Sequence, residues 1–302
     1  MAQGDARPEL SVLITGASGF LGRYLVSALR SSQDVLKLGR KPSADIICDL
    51  VRCVPNVPAV SMVVHAAGLA HVVPKNSSDG AAIHAANVLG TKNLLQGLAV
   101  GRPPQTFVFI SSVSVYGLER GDRIDESAPL LGDGPYAKSK IDAEQLITKW
   151  GKSHGVNVVI LRLPLVVGDH PPGNLGAMCR AIRFGYYFRV GEGAARRSMV
   201  LAEDVARMIP MLRGKSGIFH LTDGRHPSYA DLDTCYAAKM GRRIRVIPPR
   251  AARFVASIGD RVPCVPLNSR RLGKLQQSLT FSDDKAISEL GWAPRSVLDT
   301  PW

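Results

Sequence analysis

The sequence predicts an α/β protein: a doubly wound parallel sheet of the Rossmann type, with a smaller C-terminal substrate-binding domain. Three observations predict it. Short apolar runs rich in β-branched residues recur through the first 165 residues, and most are followed by a segment with helical spacing. A glycine triplet falls where the first run meets the first helical segment. From Pro164 onward the texture changes: "GDHPPGNLGAM" (168–178) is rich in glycine and proline, and later apolar runs are short and scattered.

The elements follow in order. "LSVLIT" (10–15) ends at a glycine turn and reads as a buried strand. "FLGRYLVSALRSS" (20–32) has apolar residues at helical spacing. "VLKLG" (35–39) and "VSMVVHAAG" (60–68) read as the second and third strands, the latter with the composition of a strand covered on both faces. Residues 80–99 read as a helix, "TFVFIS" (106–111) as a strand, "YAKSKIDAEQLITKW" (136–150) as a helix after Pro135, and "VNVVILRLP" (156–164) as a strand. Strands alternating with helices imply right-handed βαβ units. The expected division is a dinucleotide-binding domain over 8–165, with a return segment near 200–222 that includes "GIFHLT" (217–222). A substrate-binding domain of 166–199 and 223–302 would be mostly helical in its second part.

Composition narrows the class. The chain has 302 residues, 45% of them hydrophobic, enough for one large domain or two smaller ones. No run of 18 apolar residues is present, so no membrane span is expected. The start, "MAQGDARPEL", lacks the basic and apolar regions of a signal peptide. Five cysteines, at 48, 53, 179, 235 and 264, form no CxxC pair and suit reduced, packed thiols in a cytoplasmic protein. In that setting the sequon at Asn76 carries little meaning. His65, His71, His84 and His170 show no metal spacing, and no metal is expected. The formal charge of +13, from 38 basic and 25 acidic residues, suits an anionic partner. The basic residues fall in short groups rather than one block, and most fit a solvated surface.

"TGASGFLG" places Gly16, Gly19 and Gly22 between a strand and a helix. Gly16 permits the tight turn, Gly19 lets the backbone approach a pyrophosphate, and Gly22 permits close packing of helix on strand. The helix N-terminus offers free N–H groups to the anion. The spacing is G-x-x-G-x-x-G rather than G-x-G-x-x-G, so context carries the signal. At the end of the second strand, where an acid would bind a ribose hydroxyl, stand Arg40 and Lys41. A guanidinium there can pair with a 2′-phosphate, which favours NADP(H) while leaving NAD(H) open.

"ISSVSVYG" (110–117) raises a second question, because three serines close an apolar run. Tyr136 and Lys140, four apart on a predicted helix, share one face. A nearby ammonium would lower the tyrosine pKa and prepare a proton donor or acceptor for hydride chemistry at a carbonyl.

Together these motifs resemble the extended short-chain dehydrogenases/reductases of the NAD-dependent epimerase/dehydratase type. The matching features are "TGASGFLG", "CDL" (48–50), "HAAG" (65–68), Asn87 in "NVLGT", "SSVSVYG", "YAKSK", "LRLPLVVG" (161–168), "RRSMVLAEDVA" (196–206) and "SDDKAISELGWAP" (282–294). They run in order along nearly the whole chain. The resemblance implies a nucleotide-sugar enzyme and, by position, a set of roles. Ser112, Tyr136 and Lys140 would be catalytic, with Ser112 bonding the sugar oxygen, Tyr136 acting as acid/base and Lys140 holding the nicotinamide ribose. Gly16, Ser18, Gly19, Phe20, Leu21, Gly22, Arg40, Asp49, Leu50, Ala66, Ala67, Gly68, Asn87 and Leu163 would join Tyr136 and Lys140 around the cofactor. Ser112, Val113, Ser114, Tyr136, Asn174, Arg197 and Arg271 would meet a UDP-sugar. Tyr116 would be a packed aromatic at the strand end or a support of the substrate pocket. The resemblance also implies a homodimer through residues 84–99 and 136–150, and a closing helix that the short tail after "GW" curtails.

The family's dehydratases place Asp-Glu directly after the serine. Here those positions are Val113 and Ser114. Valine cannot transfer a proton, so a 4-keto reductase or a 4-epimerase is expected instead. Arg40, the compact 302-residue chain and the short substrate-binding domain lean toward the reductase. "HAAGLAHV", "GNL" (173–175) and "SLTFSDDKAISELGW" resemble bacterial reductases of UDP-4-keto-6-deoxy-N-acetylglucosamine, which make UDP-N-acetylquinovosamine for surface polysaccharide. A UDP-hexose 4-epimerase with tightly held NAD is the second reading. A non-enzymatic NAD(P)-sensing or RNA-associated protein is the third. No interleaved-aromatic RNA motif supports that last one, and no specific nucleic-acid partner is expected.

Overall fold

A computed structural model describes residues 11–70, 77–262 and 267–300; His71, Asn76 and Cys264 lie outside the described residues. The doubly wound sheet is present. Its strands are β1 (Ser11–Thr15), β2 (Asp34–Gly39), β3 (Ile46–Ile47), β4 (Met62–His65) and β5 (Thr106–Ser112), joined after β6 (Gly121–Ile124) by β7 (Asn157–Leu163). Then come β8 (Leu165–Val167), β9 (Phe188–Val190), β10 (Met199–Leu201), β11 (Gly217–Phe219), β12 (Arg245–Ile247) and β13 (Leu279–Phe281). The main sheet has seven strands in the order β11-β7-β5-β4-β1-β2-β3, all parallel. The strand order reverses between β1 and β4, and a ligand crevice belongs outside their C-terminal ends.

The helices are α1 (Phe20–Leu29), α2 (Ser77–His84), α3 (Gly90–Val100), α4 (Pro135–His154), α5 (Gly173–Phe184), α6 (Ala202–Met208), α7 (Tyr229–Lys239), α8 (Pro249–Gly259), α9 (Ser269–Gln276) and α10 (Asp284–Leu290). They sit where the strand periodicity demands. Val12 and Ile14 of β1, Met62 and Val64 of β4, and Val159 and Leu161 of β7 enter one core with Leu25 of α1 and Val205 of α6. Leu13, Val63, Phe107, Phe109 and Ile160 point the other way, against Leu94 of α3 and Ala143, Ile147 and Trp150 of α4. Side chains alternate faces with period two. Strands covered on both faces therefore read as unbroken apolar runs.

Two differences from the sequence reading have physical causes. The helix expected over 80–99 is interrupted by a π turn at Ala85–Leu89, which carries the buried Asn87. Helical periodicity does not reveal a one-residue insertion, and such turns favour functional sites. The chain from Asp284 to Trp292 departs from the substrate-binding domain expected over 223–302: Ala286, Leu290 and Trp292 pack into the first core beside α1 and α6. Outside the main sheet, β8 pairs with β10, β9 with β12 and β6 with β13.

Candidate active site

The glycine turn forms as its spacing predicts. Gly16 follows β1 with φ +74°, and Gly19 N–H donates to Gly16 O at 2.9 Å. A Cβ on Gly16 would lie 2.7 Å from backbone atoms of Ala66 and Ala67, and one on Gly22 would lie 2.0 Å from Gly16 O. Neither position tolerates a side chain, so α1 and the 66–68 backbone approach as closely as glycine allows. The turn opens into a cleft of about 840 Å³. Gly16, Ser18, Gly19, Arg40, Asp49, Leu50, Ala66, Ala67 and Gly68 line it, together with Arg23, Lys41 and Arg52. The free N–H groups at the start of α1 and the basic rim fit a dinucleotide carrying phosphates. Phe20, Leu21 and Leu163, expected at the cofactor, do not line this cleft: Phe20 packs edge-on against Tyr24, and the other two pack in the first core.

A buried chain of hydrogen bonds ties the floor of the cleft to the π turn. Ala67 N–H donates to Thr15 Oγ1 at 3.1 Å, and Thr15 Oγ1 lies 2.6 Å from His65 Nδ1. His65 Nε2 lies 2.8 Å from Thr91 Oγ1, which donates to Asn87 O at 2.6 Å. Thr91 spends its proton on the carbonyl, so His65 Nε2 is the donor and Nδ1 accepts from Thr15. Only a neutral imidazole satisfies this order. Burial, reinforced by the Lys140 ammonium, pushes the His65 pKa down to about 3. Asn87 does not line the cleft itself; it is buried behind it, accepting from Leu69 N–H at 2.7 Å and donating to Ser139 Oγ at 2.9 Å.

Beside the cleft, β5 ends at Ser112 and a 3₁₀ turn follows at Val113–Tyr116. Ser112 Oγ accepts from Ser114 N–H at 3.2 Å, which leaves its own proton for another acceptor. Tyr136 and Lys140 lie one turn apart near the start of α4, which Pro135 opens at its first position. The expected lowering of the tyrosine pKa is not what this state shows. Burial raises it, and a hydrogen bond with Ser112 opposes the rise. Lys140 Nζ instead donates to Ile110 O at 2.8 Å and stands 4.5 Å above the Phe109 ring. Burial lowers its pKa to about 8, against the pull of Glu144. A Cβ on Gly68 would come within 3.8 Å of Lys140 Nζ, so the lysine borders the cleft.

Glu144, Arg162 and His220, behind this group, escaped the sequence reading. Glu144, one turn after Lys140, pairs with Arg162 of β7 in the buried interior. Ser111 Oγ donates to Glu144 Oε1 at 2.5 Å, and Arg162 Nη1 donates to Tyr116 Oη at 2.9 Å. Tyr116 is fully buried and bonds His220 Nε2 at 2.6 Å, so it is a packed aromatic rather than a pocket wall. The available signal was a lone arginine inside the apolar run "VVILRLP".

Of the residues expected to meet the substrate, Val113 and Ser114 lie in the 3₁₀ turn, and Ser114 Oγ is buried without a partner among the described residues. Arg197 stacks near Tyr229, donates through Nε to its hydroxyl at 3.2 Å, and is pinned through Nη2 to the Lys274 carbonyl of α9. Its Nη1 is buried with no hydrogen-bond acceptor among the described residues. Asn174 and Arg271 are exposed in the first turns of α5 and α9.

A doubly wound sheet whose glycine turn opens into a cleft bordered by Lys140 places the chain among the NAD(P)-dependent oxidoreductases of short-chain type. The sequence pattern described as "NAD dependent epimerase/dehydratase family" matches residues 12–217, and the chain belongs to that family. It is 28% identical over 318 residues to a Stigmatella aurantiaca 4-hydroxy-2-methyl-3-oxo-4-farnesyl-3,4-dihydroquinoline-1-oxide ketoreductase, covering 95% of this chain and 92% of that one. It is 27% identical over 322 residues to a Vibrio cholerae UDP-glucose 4-epimerase, covering 99% and 95%. The fold matches that of Pseudomonas aeruginosa RMD, solved with NADPH, at TM-score 0.70, 23% identity and 95% coverage of both chains. No helix among the described residues is long and apolar enough to cross a membrane.

Proposed function

We propose that the protein uses NADPH to reduce the C4 ketone of a UDP-4-keto-6-deoxy-N-acetylhexosamine, giving UDP-N-acetylquinovosamine or its C4 epimer. One observation carries the reading: the turn after Ser112 holds Val113 and Ser114, with no carboxylate to eliminate water from the sugar. Chemistry is then confined to hydride transfer at one carbon. The basic rim of Arg23, Arg40, Lys41 and Arg52 favours a 2′-phosphate and hence NADP(H).

The bound nicotinamide supplies the hydride. The residues of this chain handle the oxygen. As C4 gains two electrons, its oxygen becomes an alkoxide and takes the proton of Tyr136. Ser112 donates a hydrogen bond to the same oxygen, a stabilisation that grows as charge develops. Lys140 holds the ribose hydroxyls, and its ammonium supports the phenolate left on Tyr136. Arg197 Nη1, with Asn174 and Arg271, binds the diphosphate. A homodimer through residues 84–99 and 136–150 belongs to the same reading.

The second reading is a UDP-sugar 4-epimerase, favoured by the near full-length likeness to the Vibrio cholerae enzyme. Oxidation of NADPH and NADH with a panel of UDP-4-keto-6-deoxy sugars separates the two. The reductase reading expects stoichiometric NADPH consumption. Interconversion of UDP-GlcNAc and UDP-GalNAc without added cofactor would overturn it in favour of the epimerase. Light scattering on the eluting protein reads the oligomeric state.

A further inference from the structure

Cys48 and Cys53 bracket the turn that presents Asp49 and Leu50 to the cofactor cleft. Both are free thiols, yet their Sγ atoms lie 2.7 Å apart. A disulfide needs about 2.05 Å, so only a small inward movement separates this pair from a bond. The turn between them is already closed: Arg52 N–H and Cys53 N–H both donate to Asp49 O, at 2.8 and 3.0 Å. Joining the two sulfurs therefore demands little further ordering of the folded chain. The two thiols differ in access. Cys53 is exposed, whereas Cys48 is buried and forms part of the cleft wall.

We propose that Cys48 and Cys53 are a reversible disulfide site, oxidised by exchange with a small-molecule disulfide, and that the bond weakens dinucleotide binding in the adjoining cleft. The coupling rests on the reading of that cleft as the cofactor site. The exposed Cys53 thiolate attacks a disulfide R–S–S–R, forms Cys53–S–S–R and releases one RS⁻. Cys48 loses its proton to solvent, and its thiolate attacks the Cys53 sulfur and expels the second RS⁻. Two protein thiols are oxidised and one small disulfide is reduced to two thiols. Burial and the neighbouring Cys53 push the Cys48 thiol up to about 12, so the second step sets the pace. Closing the bond shifts the Cys48 sulfur in the cleft wall and fixes the turn that carries Asp49 and Leu50. The sulfurs also give up the donors that now reach Asp49 O and Cys53 O, at 3.3 and 3.6 Å. In a cytoplasm that keeps thiols reduced, such a bond would be transient and responsive rather than structural.

The test titrates the full-length protein with oxidised glutathione at pH 8 and reads the product by mass spectrometry, with NADPH affinity followed by fluorescence. The expected product is an internal Cys48–Cys53 bond, seen as the loss of two hydrogens with no glutathione retained. NADPH binding should weaken by at least about fivefold and recover with dithiothreitol. By linkage, NADPH should disfavour the disulfide by the same factor. Cys53→Ser should bind NADPH as the reduced protein does and ignore the oxidant. A stable glutathione adduct on Cys53 with no internal bond would overturn the site. An internal bond with unchanged NADPH affinity would overturn the coupling. Reduced protein that binds neither NADPH nor NADH would instead remove the cofactor reading, leaving the mass result to decide the disulfide.

Discussion

Arg162 Nη2 reaches Glu144 Oε2 at 2.8 Å, and both side chains are almost fully buried behind the turn that carries Tyr136 and Lys140. Further hydrogen bonds extend from both ends of the pair. Ser111 donates to Glu144, Arg162 donates to Tyr116, and the Tyr116 hydroxyl donates to His220 Nε2 because His220 Nδ1 faces the Ser282 carbonyl at 3.0 Å. Removing one partner strands a charge in a low-dielectric interior. Glu144→Gln should therefore cost about 3–5 kcal/mol in urea unfolding. The paired change Glu144→Leu with Arg162→Met should cost less than Glu144→Gln alone. Equal or greater loss in the double variant would show that the pair acts through shape rather than charge.

Stability should fall in mild acid because two histidines are held neutral. Burial lowers His65 to about 3 and His220 to about 4. The unfolded chain takes up protons near the ordinary histidine value of about 6.5, while the folded protein does not. Unfolding thus binds protons between about pH 6.5 and 4, and the folded state loses stability as pH falls through that window. Each histidine contributes a limiting slope of about 1.4 kcal/mol per pH unit. Urea unfolding from pH 7 to 4.5 should show the decline, and His65→Asn should flatten it. An unchanged slope in that variant would mean that His65 does not titrate on unfolding.

Thr15 holds both ends of the relay beneath the cleft. Thr15→Val is nearly isosteric but leaves Ala67 N–H without its acceptor and His65 Nδ1 without its donor. The expected loss is about 1–3 kcal/mol, with weaker dinucleotide binding because Ala67 forms the cleft floor. Calorimetry with and without NADPH separates the two effects.

The parts legible in the sequence were those governed by short-range rules. Gly16 and Gly22 announce themselves because a Cβ at either would strike backbone. Tyr136 and Lys140 share a face because helix period fixes it. The dense apolar runs of β4 and β5 mark strands covered on both sides. Long-range pairing was not legible. Glu144 meets Arg162 across 18 positions, and Tyr116 meets His220 across 104. No local pattern encodes those distances. The π turn around Asn87 was hidden for a different reason, since its residues suit an ordinary helix equally well.

Tyr136→Phe removes the hydroxyl proposed as the proton donor and leaves the ring. Turnover should fall by about 10²–10⁴-fold, the usual worth of a positioned acid. NADPH affinity should stay within a few-fold, because the cleft lining does not include the phenol. Steady-state assays paired with NADPH titration check both halves, and near-normal turnover would sink the role given to Tyr136.

Arg40 should decide which dinucleotide is used. It stands at the end of β2 on the rim of the cleft, exposed, where a ribose 2′-substituent would arrive. A guanidinium bonded to phosphate contributes about 1.5–3 kcal/mol, since both partners are charged. That converts to about 10- to 150-fold in kcat/KM. Arg40→Ala should lose this much with NADPH and little with NADH, which has no 2′-phosphate to lose. Arg23, Lys41 and Arg52 share the rim, so the measured loss should sit toward the lower end of the range. The NADPH contribution should also shrink with added salt, because the contact is exposed and screened. Equal losses with the two cofactors would show that Arg40 stacks on the adenine or shapes the turn instead, and would leave the preference to Lys41 and Arg52.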